Sequence, residues 1–143
     1  MSRSRTTRDP LHEPLRQVRM GLLRLHKALI DSERTVFEEE RGRLTSSAFL
    51  QALMEDDFFG WLRPYSGLIV EIDEALADRD STVTAPDALR FSERVAALVS
   101  TAPVGVLEAT RLEEARRRDP GVMFSHAELN RSLGAALERY RGA

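Results

Sequence analysis

Residues 58–65 read Phe-Phe-Gly-Trp-Leu-Arg-Pro-Tyr and contain four of the nine aromatic residues of the chain. We call this stretch the aromatic bend, because Gly60 and Pro64 indicate a change of backbone direction beside the large rings. Aromatic side chains bury much apolar area per residue, so we expect the core of the fold here. An apolar run follows directly, at Leu68, Ile69, Val70 and Ile72.

The composition limits both the size of the fold and the classes of function. The chain has 143 residues, of which 42% are hydrophobic and 31% charged, enough for one compact domain with its own core. A net charge of −2 gives no overall basic field, so we do not expect the whole domain to bind nucleic acid. The absence of cysteine excludes disulfides, thiolate metal sites and cysteine nucleophiles.

The N-terminal residues 1–12 are polar and show no hydrophobic periodicity, which predicts a flexible tail ahead of one domain over residues 13–141. The segment after the tail lacks the continuous apolar stretch of a secretory signal. Apolar runs elsewhere are only a few residues long, too short to span a membrane. We therefore expect a cytoplasmic protein without a membrane partner.

Hydrophobic periodicity predicts a long first helix. It begins at Pro14, a residue suited to a first helical turn, and ends near Gly42. A seven-residue pattern continues along it with only Ser32 interrupting, and this narrow seam could also serve a dimer. The seam positions are Leu15, Val18, Leu22, Leu25, Leu29 and Val36.

Further apolar stripes at helical spacing follow, separated by short polar breaks and capping residues. No segment shows sustained alternation of apolar and polar residues, so no strand is predicted. The fold class is therefore all-α, a single-domain bundle of about five helices, mostly up-and-down. The breaks and caps lie at Ser46 or Ser47, residues 56–59, the loop 77–83, Thr84, residues 100–103 and Asp119-Pro120.

Inward-facing histidines and carboxylates form the first candidate site. His126 lies on the apolar stripe of the last helix, and Asp73 flanks that of the third. His26 and Glu33 lie seven residues apart along the edge of the first. If these helices adjoin, the four side chains could bind a divalent metal of unknown identity or perform acid–base chemistry.

This metal hypothesis has an ordinary alternative. Neither Glu-x-x-His nor His-Glu-x-x-His occurs in the chain, so the strong metal signatures are absent. A buried polar network, in which each histidine is hydrogen-bonded, explains the same positions. We predict no cofactor and no catalytic residue, and whether the protein is an enzyme stays open, with the balance against it.

The aromatic bend is the second candidate site. Phe58, Trp61 and Tyr65 could line a pocket or an interface, with Arg63 as an anchor for an anion. Packing inside the core is the favoured alternative, because aromatic clusters dominate cores in general.

Two arginine runs could grip phosphates. The first consists of Arg3, Arg5 and Arg8, and the second of residues 116–118. The second run also suits a helix C-terminus and follows two glutamates that could pair with it. Nucleic acid is therefore not the favoured partner.

Three segments resemble a family of small uncharacterised bacterial all-helical proteins with a Trp-Leu-Arg-Pro core segment. They are LLRLHKALIDSER, FFGWLRPYSGLIVEIDEAL and RRDPGVMFSHAEL. The resemblance covers most of the domain. It implies a shared helical bundle, and it leaves the function open.

The leading hypothesis is a non-enzymatic scaffold or interaction module, acting as a homodimer or with another protein. The seam of the first helix and the aromatic bend would supply its apolar surface. A metal- or small-ligand-binding bundle is the first alternative, and a nucleic-acid accessory protein using the arginine runs is the second.

Overall fold

The computed structural model describes residues 9–77, 83–103 and 105–142, which form six α-helices, two short 3₁₀ helices and no strand. The all-α prediction is therefore confirmed, with six helices where the sequence predicted about five. The 3₁₀ helices span Pro10–His12 and Asp57–Leu62. The α-helices are α1 (Glu13–Arg41), α2 (Ser46–Glu55), α3 (Arg63–Ala77), α4 (Ala85–Leu98), α5 (Leu107–Arg118) and α6 (Pro120–Arg141). None of the described helices is both long and apolar enough to cross a bilayer.

Helix ends follow local capping chemistry. Gly42 ends α1 with a φ of 91°, a left-handed conformation that favours glycine. Thr84 and Asp87 form a reciprocal capping box at the start of α4. Asp119 caps α6 by accepting the N–H of Gly121 at 2.9 Å.

The cap of α2 differs from the prediction by one residue. Thr45, rather than Ser46 or Ser47, is the N-cap, because its hydroxyl accepts the N–H of Ala48 at 3.1 Å. All three residues are good caps, so which of them ends the preceding loop depends on the path of that loop.

Helix α1 lies at the centre and packs against α3, α4, α5 and α6. The last buried apolar residue of the α1 seam is Phe37 rather than the predicted Val36. A straight helix departs by about 20° per heptad from a strict seven-residue pattern, so the buried position shifts along the chain. Other helices of the same chain cover the seam, so it is not a free surface for a dimer. Its first five positions, Leu15, Val18, Leu22, Leu25 and Leu29, are completely buried.

Residues just before the predicted domain start at residue 13 contact the helical bundle. Leu11 packs against the core, and His12 Nε2 donates to the carbonyl of Val83 at 2.9 Å. The hydroxyl of Tyr140 donates to the carbonyl of Leu11 at 2.7 Å and accepts the N–H of Leu15 at 3.0 Å. That N–H has no partner within its own helix, so α6 satisfies the start of α1. Residues 1–8, with Arg3, Arg5 and Arg8, lie outside the described residues.

Helices α1 and α6 approach each other closely at Gly21. A Cβ at this position would lie 3.0 Å from Cδ1 of Leu129 and 3.3 Å from its Cα. Glycine therefore lets the two longest helices meet backbone to side chain.

This close approach predicts opposite effects for one substitution at two glycines. Gly134 lies inside α6, with nothing within 4 Å of the place a Cβ would take. Gly134→Ala should raise the free energy of unfolding by about 0.5–1 kcal/mol, because alanine is the better helix former. Gly21→Ala has the same gain in helix propensity but should lower the free energy of unfolding, since overpacking against Leu129 costs about 1–3 kcal/mol. Urea denaturation of both variants checks this, and equal stabilisation would contradict the close packing.

Candidate functional site

The aromatic bend ends in the first turn of α3 and is otherwise part of a 3₁₀ helix, Asp57–Leu62. Asp56 caps it by accepting the N–H of Phe58 at 2.9 Å. The bend buries Phe59, Trp61 and Tyr65, while Phe58 is half-buried. The rings of Trp61 and Tyr65 meet edge to face with centroids 6.1 Å apart, a favourable aromatic geometry. Trp61 and Tyr65 are therefore core residues rather than pocket walls.

Arg63 holds the two sides of the bend together. Its Nε donates to the carbonyl of Leu53 at 3.2 Å, and its Nη2 donates to that of Asp56 at 2.8 Å. These carbonyls belong to the end of α2, where backbone acceptors lack helical partners and favour a positive charge. Among the described residues no carboxylate lies within 4 Å of this guanidinium. Arg63 thus has a structural role and no carboxylate partner among the described residues.

A buried carboxylate joins the bend to α1 and α5. Glu33 is only 2% exposed. One oxygen accepts the indole N–H of Trp61 at 2.9 Å, and the other accepts Nη2 of Arg118, also at 2.9 Å. Arg118 also donates to the hydroxyl of Ser32, at 3.1 and 2.9 Å. Every charged group in this network therefore has a partner, which a buried charge requires.

The four predicted metal or acid–base residues lie in separate environments. Glu33 is held in the network just described. Asp73 accepts two hydrogen bonds from Arg19, at 2.7 and 3.1 Å. His126 Nε2 donates to the carbonyl of Val99 at 2.8 Å. His26 stacks on Tyr65, with ring centroids 5.9 Å apart.

The structure does not bring these four side chains to one point. His26 and Glu33 lie two helical turns apart on α1, about 10 Å along its axis. Within the described ranges, no three His, Asp or Glu side chains are placed to hold a metal ion. The buried-network alternative describes Glu33 and His126, which are hydrogen-bonded inside the fold.

The second arginine run is bound within the protein. Arg116 and Arg117 both pair with Glu113 of their own helix, as the sequence suggested. Arg118 instead reaches the buried Glu33. Sequence reasoning missed this role, because no local pattern shows that the end of α5 meets α1.

An open apolar groove lies between α1, α2 and α3, and we call it the α1–α2–α3 groove. It has a volume of about 600 Å³. Its ionisable lining groups are His26 and Arg63, and none is acidic. Sequence reasoning missed most of its apolar walls, since their exposure depends on how α2 packs against the 3₁₀ helix Asp57–Leu62, beside α1 and α3. Those walls are Ile30, Leu53, Met54, Phe59, Leu62 and Val70.

A second groove of about 610 Å³ lies between α3 and α4. Its rim carries Arg94 and Glu71, which form two hydrogen bonds of 2.9 Å with each other. Glu108 lines it as well. Its arginine is therefore already matched by a carboxylate, whereas the cation of the α1–α2–α3 groove is not.

No protein-family model, curated protein or solved structure matches the chain. The resemblance to small bacterial helical proteins therefore stays a prediction, and the candidate site rests on the geometry alone.

The Trp61–Glu33 hydrogen bond predicts a graded loss of stability. Trp61→Phe keeps an aromatic ring but leaves an oxygen of Glu33 without its donor, so the free energy of unfolding should fall by about 1–3 kcal/mol. Trp61→Ala also removes the ring and should cost about 3–5 kcal/mol. Urea denaturation followed by far-ultraviolet circular dichroism measures both. A folded and equally stable Trp61→Ala protein that lost a partner would instead place the ring at an interface.

The burial of His126 and the partial burial of His26 predict lower stability in mild acid. Burial lowers the pKa of His126, against the opposing effect of the Val99 carbonyl, and burial also lowers the pKa of His26. As the pH falls through 6.5, the ordinary histidine value, the unfolded chain takes up protons first. The free energy of unfolding should therefore fall until the lowered folded-state pKa values are reached.

Denaturant titrations at several pH values measure this slope. His126→Gln should reduce it, and adding His26→Gln should reduce it further. Arg116 and Glu113 also act on His126, and they remain in both variants. A slope unchanged in the double variant would contradict the assignment.

Proposed function

We propose that the chain is a cytoplasmic, non-enzymatic helical bundle that acts by protein–protein interaction, and that the α1–α2–α3 groove is its binding surface. The partner is a second copy or another protein. One observation carries the proposal: the groove is largely apolar, yet Met54 and Val70 at its edges are 66% and 52% exposed. Large apolar side chains gathered around an open groove are typical of interaction sites.

The shape and chemistry of the groove suit a helix from a partner. Grooves between helices receive amphipathic helices whose apolar residues repeat every three to four positions. Met54 is a flexible, polarisable side chain that adapts to such a surface. Arg63 and His26 add polar groups beside the apolar walls, as the rim of an interface does.

This surface replaces the one that the sequence suggested. The seam of α1 and the rings of Trp61 and Tyr65 are used inside the fold. The outer side of α1, α2 and α3 remains open beside them. The interaction hypothesis is therefore kept, and its location moves from the seam to the groove.

A small-ligand site is the second candidate, favoured by the groove volume. About 600 Å³ lies within the range of small-molecule sites, roughly 300–1,000 Å³. An anionic ligand with an apolar body would suit Arg63 and the neighbouring walls. Of the four residues first predicted for a ligand or metal, only His26 lines this groove.

Site-specific photo-crosslinking in the producing cell tests the interaction. A photoreactive phenylalanine analogue at position 70 should give discrete protein adducts, because that side chain borders the groove. The same analogue at position 123, on the exposed face of α6, is the matched control and should give few. Adding Met54→Arg should remove the adducts formed at position 70. Equal adducts at both positions, or none at position 70, would contradict the proposal.

A further inference from the structure

We propose that the α1–α2–α3 groove binds helix α2 of a second copy of this chain. In the resulting dimer, the outer side of α2 in each copy lies in the groove of the other copy. This inference rests on the proposed function, because it names the partner of the same groove. Three features of the described residues support it: an unused apolar ridge, opposite charges, and the position of ridge and groove on one surface.

The ridge consists of Leu50 and Met54, one helical turn apart on α2. They are 58% and 66% exposed. The inward side of the same helix already contributes Phe49 and Leu53 to the core. Helix α2 is therefore apolar on two sides, whereas a surface helix needs only one apolar side to join its own core. Neither member of this outer pair is among the described residues that pack against the core.

The charges of ridge and groove are opposite. Residues 46–57, which contain α2, include no lysine or arginine. Glu55 and Asp57 at the end of this segment are exposed, and in the described part of the chain no basic side chain lies within 4 Å of either. The groove instead presents Arg63 and no acidic residue. Complementary charge of this kind fixes the orientation and register of an interface.

Ridge and groove lie on the same surface, because α2 forms one wall of the groove and also carries the ridge. A two-fold dimer requires such a self-complementary patch, since each copy offers the same surface to the other. Rotation about a two-fold axis places the ridge of each copy over the groove of its partner. The dimer then has two equivalent contacts, and each groove receives Leu50 from the other copy.

Sedimentation equilibrium on the purified full chain tests this arrangement. The chain should have twice its monomer mass at high concentration and dissociate on dilution. Leu50→Glu in the ridge and Val70→Glu in the groove should each weaken the dimer, on the order of a hundredfold in dissociation constant. Leu107→Glu is the matched control, because Leu107 is 57% exposed but lies at the start of α5, away from the groove. It should leave the dissociation constant unchanged.

Mixing the two variants distinguishes this dimer from other dimers. The Leu50→Glu copy keeps an intact groove, and the Val70→Glu copy keeps an intact ridge. One of the two contacts is therefore restored in the mixed dimer, which should form more tightly than either variant alone. All the substituted side chains are exposed, and circular dichroism confirms that the helices are retained.

Three outcomes would overturn the inference. The first is a monomer at every concentration. The second is a dimer that neither variant weakens. The third is a mixture that gains no affinity, because α2 would then pack against α2 rather than in the groove.

The proposed function fails separately from this inference. A monomeric purified chain whose position 70 still crosslinks in cells to a protein of different mass keeps the groove as an interaction site. It then has another partner. A monomer without groove-dependent adducts at position 70 contradicts both.

Discussion

A buried carboxylate on α1 holds three parts of the chain in place. Glu33 accepts the indole N–H of Trp61 and a guanidinium N–H of Arg118. A carboxylate inside a core is costly unless both of its oxygens are bonded, so the aromatic bend and the end of α5 must both meet α1 at this point. The three residues are far apart in sequence, which makes their two contacts a constraint on the whole fold rather than on one helix.

This constraint determines which surface of the bundle remains open. Helix α5 and the aromatic bend are fixed against α1, and α6 packs closely at Gly21. The apolar seam of α1 is therefore buried within the chain. Helix α2 is then left at the edge, attached by Phe49 and by the hydrogen bonds from Arg63 to its last carbonyls. Its outer apolar side chains border an open groove. The candidate binding surface is thus a consequence of how the core is completed.

Much of the fold could be predicted from the sequence, and most of the site could not. The ends of α1 at Gly42 and of α4 and α6 at their caps follow from chemistry within a few residues. Phe37 is buried in the core, whereas the sequence predicted Val36 there. The difference arises because positions seven residues apart on a straight helix rotate slightly out of line with each turn of the pattern. His26 and Asp73 could come together only if α1 and α3 were rotated about their axes so that both side chains faced the same point. Hydrophobic periodicity does not specify that rotation. Asp73 instead pairs with Arg19.

The sequence by itself determined the helical class and most helix limits, and it favoured the burial of Trp61 and Tyr65, because capping, periodicity and aromatic burial act locally or through composition. Only the tertiary structure decided that Arg118 pairs with Glu33, that the α1 seam is internal and that α2 leaves a groove beside α3. These outcomes depend on how helices far apart in the chain rotate and approach one another. Many rotations are compatible with the same apolar stripe, and the choice among them is made by the packing and hydrogen bonding of all six helices together.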